Sequence, residues 1–515
     1  MERIAFFGAT GTMGTATINE LMHVRHKYAF SFLLLPHEHL PAPLRSLLRD
    51  LGLPYHRPDK SFAGTKIEEN DQVRIVWGDA RDQDAIRETV KGADWVLNTM
   101  ALISPTADSQ PELARQINDE AVQTIIDAIC EEPDGQNRIR LIHTGSVAQT
   151  GSRPPGFHVG QIGDPMNPSV FDHYAVTKID GERRVMDSPL KYWVSLRMSF
   201  IMPTNHQKLL SLFDPILFHM PVNTHMESVS DRDAGFAMAQ CLTIPNNSDF
   251  WRNAFNIGGG PQMRLIATEY FDAIFRQLGV DWKRVTEKNW FALRNFHMQY
   301  FSDAEVANFY LKYWRDSHQT FEKALLESMR WHFRAFRWLN KNSRLFSWLS
   351  HFIVYRVLRK LAETHPNSPR NWYLTGKTKR ITAFFGSRKR YEEIHNWVET
   401  KEIVPSPHST RFEHGYSNDK LLFKVEEIEG AASFRGSQCR TEEKEVYLSD
   451  HLEWECAFGH QFKMRVRTVL KGGHWCPECT RTWNGDERAK KDHFFAQAWY
   501  ADHSPSENTN YIGDD

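Results

Sequence analysis

Tyr174 and Lys178 are the pair of side chains in this sequence best suited to transferring a proton. They lie four residues apart in the segment HYAVTKIDGE, so a helix would present both on one face. A neighbouring ammonium group stabilises a phenolate, and Tyr174 could then serve as a general acid or base near neutral pH. Because this spacing is also common on exposed helix faces, the interpretation depends on the surrounding residues.

Ser146 precedes Tyr174 by 28 residues, in the segment LIHTGSVAQ. Its hydroxyl could hold the hydroxyl or carbonyl oxygen of a substrate while Tyr174 moves the proton. Thr144 lies two residues earlier and is the alternative for that role.

A glycine-rich segment, Gly8 to Gly14, directly follows the run ERIAFF near the start of the chain. Between a strand and a helix, such glycines let backbone N–H groups and the helix N-terminus approach a pyrophosphate. Spaced glycines also make plain tight turns, but the position after the first apolar run favours a dinucleotide site.

Further candidate contacts with a dinucleotide follow at the ends of later apolar runs. Asp79 could accept a hydrogen bond from an adenine amino group, or cap a helix predicted over Gln83 to Val90. Neither the usual acid nor the usual arginine is evident where Leu35 runs into Pro36-His37-Glu38, so NAD and NADP both remain open. The predicted cofactor-binding residues are Gly8, Ala9, Thr10, Gly11, Thr12, Met13, Gly14, Asp79, Ala80, Thr99, Ala101, Thr144, Tyr174, Lys178 and Met198.

Four ligands suited to zinc are concentrated near the C-terminal end. Cys456 and His460 form one pair, and Cys476 and Cys479 form a second, with 15 residues between them. Three thiolates and one imidazole satisfy a tetrahedral Zn²⁺ ion and leave no open position, which predicts a structural rather than a catalytic metal. Cys439 is predicted to be a buried free thiol.

Alternating apolar runs and helical patterns over the first half of the chain predict the elements that position these side chains. The predicted fold is α/β, a doubly wound parallel Rossmann sheet with a small substrate subdomain, followed by a helical module and a small zinc-binding domain. The predicted strands are Arg3 to Phe7, Ala29 to Leu35, Val73 to Trp77, Trp95 to Asn98, Ile139 to His143, Trp193 to Arg197 and the segment Phe255 to Gly260. Helices are predicted over Leu265 to Leu278 and Ser343 to Leu361.

The predicted domain bounds are 1–265 for the dinucleotide-binding domain, with the substrate subdomain interleaved from about 199 to 290, then 290–410 and 411–515. Within the middle module, Arg356 to Arg390 carries ten Lys or Arg residues and one acid. This stripe could bind nucleic acid, but a solvated helix face explains it as well, and we regard nucleic acid as an unlikely partner.

The order of the glycine loop, Asp79, Asn118, Ser146, Tyr174 and Lys178 resembles the extended short-chain dehydrogenase/reductase family, the NAD-dependent epimerase/dehydratase group. The resemblance covers about the first 260 residues. It implies that Ser146, Tyr174 and Lys178 are catalytic, that Asn118 organises a proton-relay water, and that Met198 lies at the nicotinamide pocket. It also implies that Asp233 lies at the beginning of a helix. The tail from Leu452 to Cys479 is similar to treble-clef zinc fingers.

Two departures from that family narrow the expected chemistry. Sugar-nucleotide dehydratases carry an Asp-Glu pair after the catalytic Ser or Thr, where this chain has Val147 and Ala148. The tyrosine expected before Gly151 in sugar epimerases is replaced by Thr150. Ordinary 4,6-dehydration is therefore not expected, and sugar-nucleotide binding does not follow from the motif.

The resulting hypothesis is an NAD(P)-dependent oxidoreductase or epimerase that acts on a small or nucleotide-linked substrate. The alternative is a catalytically silent dinucleotide-binding scaffold or sensor that uses the zinc tail to bind a partner. Ser104, His225 and Glu227 are candidates for the substrate pocket. A near balance of 63 basic and 64 acidic residues and the lack of long apolar runs predict a cytoplasmic protein without a membrane partner, possibly a homodimer.

Overall fold

The computed structural model describes residues 1–53, 65–153, 159–210, 215–397, 412–416, 420–441 and 443–513. Its first half contains eleven strands among the described residues. They are β1 (Glu2–Phe7), β2 (Tyr28–Leu34), β3 (Lys66–Glu69), β4 (Val73–Trp77), β5 (Trp95–Asn98), β6 (Arg140–Ser146), β7 (Tyr192–Met198), β8 (Phe200–Met202), β9 (His225–Ser230), β10 (Asn253–Ile257) and β11 (Arg264–Ile266).

Eight of these strands form one sheet, in the order β10-β7-β6-β5-β1-β2-β4-β3. All neighbouring strands pair in parallel except β3, which pairs antiparallel with β4 at the sheet edge. The strand order reverses on either side of β1, which is the doubly wound arrangement of a dinucleotide-binding sheet. The predicted Rossmann architecture is thereby confirmed.

Helices cover both faces of this sheet. One hydrophobic cluster joins residues of α1, α2 and α10 to the sheet, and a second joins residues of α3, α6 and α8 to its other face. The helices in this part are α1 (Thr12–Leu21), α2 (Ala42–Asp50), α3 (Gln83–Val90), α4 (Thr106–Ser109), α5 (Pro111–Arg115), α6 (Ala121–Glu131), α7 (Gly135–Arg138), α8 (His173–Met186), α9 (His206–Leu210) and α10 (Asp231–Gln240).

A smaller sheet with the order β11-β9-β8 lies in the segment expected to form the substrate subdomain. Helices α11 (Ala267–Gln277) and α12 (Trp282–Val285) follow it. Its core continues into the helical module, because Phe321, Leu325 and Leu358 belong to the same buried cluster as Phe271 and Trp282. The module itself comprises α13 (Ala304–Leu311), α14 (His318–Ser328), α15 (Trp331–Asn342), α16 (Arg344–Thr364), α17 (Pro369–Thr375), α18 (Thr378–Phe385) and α19 (Arg388–Glu392).

The C-terminal part combines short strands and short helices around its own hydrophobic cluster. The strands are β12 (Leu422–Lys424), β13 (Gln438–Arg440), β14 (Glu445–Tyr447), β15 (His451–Glu455) and β16 (Gln461–Arg465), and the helices are α20 (Val425–Phe434), α21 (Val466–Leu470), α22 (Pro477–Arg481), α23 (Gly485–Lys491) and α24 (His493–Trp499). Strands β13, β15 and β16 form an antiparallel sheet.

The predicted bounds agree with the structure for β4 and β5 and lie within a few residues for β1, β2, β6 and β7. The segment Phe255 to Gly260, predicted as a short strand followed by a turn, contains the end of β10 at Ile257 and then three glycines outside the strand. Four short strands, β3, β8, β9 and β11, have no counterpart among the predictions. Each has only three to six residues, too few to establish a clear alternation.

Close packing between α1 and α10 predicts a strong effect of enlarging one glycine. A Cβ atom on Gly235 would lie 2.5 Å from the carbonyl carbon of Ala16, so the Gly235→Ala variant must separate the two helices. We expect it to lower the free energy of unfolding by about 1–3 kcal/mol, measured by urea denaturation. The control is Gly430→Ala in α20, where the nearest atom would be 3.9 Å away. It should raise stability by about 0.5–1 kcal/mol, and equal effects of the two variants would contradict the packing argument.

Candidate functional site

The glycine loop lies at the carboxyl end of β1 and leads directly into α1. Gly8 has a φ of +80°, and a Cβ on Gly14 would lie 2.1 Å from the Gly8 carbonyl oxygen, so both positions need glycine. Gly11 is the N-cap of α1, with no side-chain cap and no acid in the first turn. The N–H groups at this helix end are therefore available to an anion.

The loop packs against the end of β5, where the strand order reverses. The Thr99 hydroxyl donates to the Phe7 carbonyl at 3.0 Å and lies 3.1 Å from the Gly8 carbonyl. A Cβ on Gly8 would lie 2.6 Å from the Met100 amide nitrogen. The predicted residues Ala9, Met13 and Met198 are buried in the core beneath this loop. The crevice between β1 and β5 is where doubly wound sheets bind their ligands.

Glu38 is a site residue that the sequence reading passed over. It lies four residues beyond β2, and its Oε1 accepts a 2.6 Å hydrogen bond from the hydroxyl of Thr10 in the glycine loop. This contact places a carboxylate where an acid hydrogen-bonds the adenosine ribose in NAD-binding sheets. The sequence does contain an acid after β2, but Pro36 and His37 separate Glu38 from the position directly after the strand, where such an acid is usually expected.

Asp79 follows β4 and is bound by its neighbour Arg81. The Arg81 Nε and Nη2 atoms donate to the two carboxylate oxygens at 2.9 and 2.7 Å. These hydrogen bonds lower the pKa of Asp79, which keeps an acceptor available. Asp79 is not the N-cap of α3, since Asp82 has that position and accepts from the Asp84 amide. Ala80 is partly buried beside the core.

Tyr174 and Lys178 lie one turn apart on α8, as the spacing predicts. The helix begins after Asp172, whose side chain caps it by accepting from the Ala175 amide at 2.8 Å. Tyr174 forms a hydrogen bond with Ser146, while the Lys178 ammonium donates to the Thr144 carbonyl oxygen. The hydroxyl of Thr144 instead lies 3.9 Å from the Met238 sulfur. The structure thus brings Ser146, rather than Thr144, to the tyrosine.

Burial dominates the protonation of this pair. It raises the pKa of Tyr174 to about 12, opposed by the hydrogen bond from Ser146. It lowers the pKa of Lys178 to about 8, opposed by the charge of Glu182. Lys178 is not among the causes of the Tyr174 shift, and the expected lowering of the tyrosine pKa involves the positive nicotinamide ring of an oxidised cofactor as well as the ammonium. A further positive charge nearby would lower the pKa of both Tyr174 and Lys178 toward neutral pH.

Asn118 lies in a π-helical turn, Gln116–Glu120, that faces α8. Its amide nitrogen donates to the Leu102 carbonyl at 2.9 Å and to the Thr177 hydroxyl at 3.0 Å. A Cβ on Gly181 would lie 2.2 Å from the Asn118 carbonyl oxygen, so that glycine lets the two elements approach. π-Helical turns often occur at functional sites.

A buried network lies one turn below Lys178. Glu182 accepts hydrogen bonds from Arg197 at 3.0 Å and from the side-chain amide of Gln149. Gln149 in turn accepts from the Ser146 amide at 2.7 Å. The same carboxylate therefore connects α8, β7 and the loop that carries Ser146.

A small cleft lies beside the N-terminal end of α8. Asp108 and Asp172 line it together, and the His297 Nδ1 atom is 3.1 Å from Asp172 Oδ2. Burial and the charge of Asp172 raise the pKa of Asp108 to about 7. The remaining polar lining includes Ser104, His219, Asn295 and Arg380. Neither Asp108 nor Asp172 was singled out from the sequence, because their pairing requires α4 to approach α8.

Of the other candidates for the substrate pocket, Ser104 lines this cleft, whereas His225 and Glu227 do not. The Glu227 carboxylate accepts from Arg264 at 2.8 Å, from the Phe301 amide and from the Gly260 amide, both at 3.1 Å. These contacts give it a structural role. Asp233 lies in the first turn of α10, as expected, and accepts from the Asp316 amide at 2.9 Å.

The four predicted metal ligands converge in the C-terminal part. Their ligand atoms all lie within 4.8 Å of one another. The Cys456 sulfur is 3.3 Å from His460 Nδ1 and 3.6 Å from the Cys479 sulfur. The Cys476 sulfur is 3.5 Å from the same imidazole nitrogen. Three sulfurs and one nitrogen at these separations fit a tetrahedral metal ion. Cys439 is buried nearby but is not part of the cluster.

The metal cluster is attached to α8 through several contacts. His474, two residues before Cys476, has its Nε2 atom 3.4 Å from Glu182 Oε2. Arg197 donates to the Gly472 carbonyl at 2.8 Å. Arg481, in the helix that holds Cys479, lies 2.9 Å from Asp180. The C-terminal part therefore contacts α8 at Asp180 and Glu182, within about one turn of the lysine, and β7 at Arg197.

Comparison with known proteins supports the dinucleotide-binding prediction. Residues 57–243 match a family model described as NAD(P)H-binding, a segment that begins after the glycine loop and covers less than half of the chain. This match confirms an NAD(P)H-binding domain in the N-terminal half. No curated protein matches the chain. Helices long and apolar enough to span a membrane do not occur in the described part of the chain.

Solved structures similar to this chain include NAD-bound sugar-nucleotide enzymes. A dTDP-glucose 4,6-dehydratase from Streptomyces venezuelae is 19% identical, with 66% of this chain and 97% of that chain covered and a TM-score of 0.48. A UDP-glucuronic acid 4-epimerase from Bacillus cereus is 17% identical, with 65% and 99% covered and a TM-score of 0.46. A dTDP-glucose 4,6-dehydratase from Bacillus anthracis is 14% identical, with 67% and 98% covered and a TM-score of 0.46.

The raised pKa of Asp108 predicts a pH-dependent effect of replacing it. A carboxyl with a raised folded-state pKa stabilises the fold fully only below its unfolded pKa, and this contribution is lost as pH rises toward about 7. Asp108→Asn removes the buried charge. The free energy of unfolding of the variant should therefore rise relative to that of the wild type as the pH increases. The difference between variant and wild type should be about 2 kcal/mol larger at about pH 8 than at about pH 5.

Urea denaturation at both pH values measures this difference. The exposed acid Asp249 provides the control, and Asp249→Asn should show the same small effect at both. A pH-independent effect of Asp108→Asn would show that this carboxyl titrates normally.

Proposed function

We propose that this protein is an NAD(P)-dependent oxidoreductase or epimerase that acts at a hydroxyl-bearing carbon of a small or nucleotide-linked substrate. The observation that carries the proposal is the contact of Tyr174 with Ser146 and of Lys178 with Thr144, at the sheet edge that also bears the glycine loop. A proton-transfer group, an oxygen-holding hydroxyl and an anion-binding helix end meet there.

The chain's own residues perform the proton chemistry. Ser146 holds the substrate oxygen, and Tyr174 accepts its proton as the carbon is oxidised or returns it as the carbon is reduced. Lys178, fixed by the Thr144 carbonyl, supplies the positive charge that favours the phenolate. A dinucleotide held by the glycine loop would supply the hydride chemistry at the same carbon. Asn118, held by Leu102 and Thr177, positions the end of the proton path in the manner of the related family.

NAD is the preferred cofactor in this proposal. The Glu38 carboxylate, fixed by Thr10, would accept a hydrogen bond from the ribose 2′-hydroxyl, and its negative charge would repel a 2′-phosphate. Asp79 retains the role of accepting from the adenine amino group.

Asp108 is a second acid at the N-terminal end of α8, where its carboxylate accepts a hydrogen bond from the His173 amide at 3.0 Å. The absence of an acidic pair after Ser146 argues against ordinary 4,6-dehydration. The pair Asp108 and Asp172 instead lies in the cleft, where one carboxyl keeps its proton near neutral pH. A substrate in this cleft would meet a donor, Asp108, and a cation, Arg380. This polar set is suited to a hydroxylated substrate with an anionic group.

The metal in this proposal is a structural zinc ion whose module positions α8. The ligand set leaves no site for substrate. Its neighbours His474 and Gly472 contact the Glu182–Arg197 pair directly below Lys178. Holding the metal therefore fixes the helix that carries both catalytic side chains. In the alternative function, a silent scaffold, the same module would bind a partner protein and Tyr174 would be dispensable.

The first experiment is native mass spectrometry of the purified chain, followed by incubation with a panel of nucleotide-linked sugars. We expect a bound dinucleotide whose mass lacks the 2′-phosphate, and formation of reduced nicotinamide or an isomerised sugar with one member of the panel. Tyr174→Phe should keep the dinucleotide and lower the rate by a factor of about 10²–10⁴, because it removes the proton acceptor.

Tyr447→Phe is the matched control, since this tyrosine is 57% exposed in the C-terminal part. It should leave the rate unchanged. Full activity of Tyr174→Phe, or normal cellular function of that variant, would contradict the catalytic proposal and favour the scaffold.

Removal of the metal provides the second test. Cys476→Ser should lose the zinc, measured by elemental analysis, and should raise hydrogen exchange in peptides that cover α8, because its contacts with His474 and Gly472 loosen. Cys439→Ser is the control, since this buried thiol lies outside the ligand set. A metal-free Cys476→Ser protein with unchanged exchange in α8 would contradict the positioning role.

A further inference from the structure

The helical hairpin of α15 and α16 exposes a large apolar surface. Trp331, Trp338 and Trp348 are 79%, 63% and 61% exposed, although tryptophan is normally well buried. The other members of this surface, which we call the hairpin face, are Leu345, Leu349, Phe352, Ile353 and Val357, each between 45% and 76% exposed. Contiguous exposed apolar residues of this kind mark an interaction site.

The hairpin face is one continuous stripe of α16. Its members in that helix recur at intervals of three or four residues from Leu345 to Val357, which places them on a single side. Trp348 and Phe352 stack with a ring separation of 6.2 Å. On α15, Trp331 and Trp338 are seven residues apart and so share a side as well.

The opposite side of the hairpin is fixed to the protein by polar contacts. The Asn340 amide donates to the Leu278 carbonyl at 2.9 Å, and the Ser350 hydroxyl donates to Asn340 at 2.5 Å. The Asp281 amide donates to His351 Nε2 at 3.0 Å. These buried bonds would be lost if the helices rotated. The hairpin is therefore held with its apolar stripe outward.

Positive charge surrounds the hairpin face. Residues 330 to 362 contain eight Lys or Arg residues and no Asp or Glu. Arg356 extends over the ring of Phe352, with its guanidinium carbon 5.9 Å from the ring centre. Long basic side chains beside an apolar surface can place their charges at the level of lipid headgroups while their stems cover the apolar residues.

We infer that the hairpin face binds the surface of an anionic lipid bilayer. Tryptophan is enriched at membrane interfaces, and an apolar stripe flanked by Lys and Arg is the pattern of helices that lie in the plane of such a surface. The sign of the charge selects anionic lipids. A second copy of the chain fits less well, since a symmetric contact through this face would bring its basic residues together.

This inference departs from the sequence-based expectation of no membrane partner. The periodicity predicted an amphipathic helix over Ser343 to Leu361, and such a helix normally turns its apolar side toward a core. Helix α16 does bury Leu358 and Ala362, together with Ser350 and His351, but it also carries a second apolar side that is exposed. The sequence pattern could not indicate which side faces solvent.

The experiment is co-sedimentation of the full-length protein with vesicles made of equal parts phosphatidylglycerol and phosphatidylcholine, compared with phosphatidylcholine alone. The protein should sediment with the anionic vesicles, and salt should weaken binding because the attraction is screened. Trp331→Ser/Trp338→Ser/Trp348→Ser should reduce binding at least tenfold. Lys341→Gln/Arg344→Gln/Lys360→Gln should reduce it by about fivefold for each charge that lies near the lipid.

Phe309→Ser is the control, because Phe309 is 68% exposed on α13 and lies outside the hairpin. It should bind vesicles like wild type. Urea denaturation of each variant checks that the fold is retained. The inference is overturned if the wild-type protein does not sediment with anionic vesicles. It is also overturned if the triple tryptophan variant binds vesicles like wild type but loses a dimer that light scattering detects in the wild-type protein.

Discussion

The ion pair between Glu182 and Arg197 joins three parts of this molecule that are distant in sequence. Both side chains are fully withdrawn from solvent, and the nitrogen and oxygen lie 3.0 Å apart. Glu182 is on α8, four residues after Lys178, whereas Arg197 is on β7 and donates a second hydrogen bond to Gly472 in the C-terminal part. Loss of one partner would leave an uncompensated buried charge, a change that typically costs about 3–5 kcal/mol. Helix α8, the sheet and the C-terminal module therefore depend on the same pair.

The surroundings of this pair explain how its desolvation cost is offset. Glu182 also accepts from Gln149 and lies 3.4 Å from His474. Burial raises the pKa of Glu182, but the charges and hydrogen bonds of Arg197 and His474 outweigh it and hold that pKa below its usual range. The retained negative charge in turn opposes the effect of burial on Lys178, so the ammonium on which Tyr174 depends is preserved. In the proposed function, the C-terminal module would therefore affect Tyr174 and Lys178 by fixing charges beneath them rather than by contacting the substrate.

Local patterns allowed the sheet and several site residues to be predicted, and long-range contacts account for what was missed. The glycine loop, the spacing of Tyr174 and Lys178, and the paired metal ligands are each contained in a short segment whose geometry follows from its own sequence. Glu38 and Asp108 were missed because each becomes a site residue only through a partner brought close by the fold, Thr10 for Glu38 and Asp172 for Asp108.

The hairpin of α15 and α16 likewise combines a feature that local sequence predicts with one that depends on long-range contacts. Helical periodicity identifies two sides of a helix but not their environments, because the environment depends on which neighbours supply hydrogen bonds. Leu278 and Asp281 supply them here from the loop after α11, and they bind the polar side of the hairpin. That loop follows β11 of the smaller sheet and α11 in the chain. The hairpin is therefore attached to the same segment that forms the smaller sheet. The helical turn Pro215–His219 also packs against α16, and its His219 lines the cleft. Contact of the hairpin face with a bilayer would consequently act on a helix that touches the cleft wall.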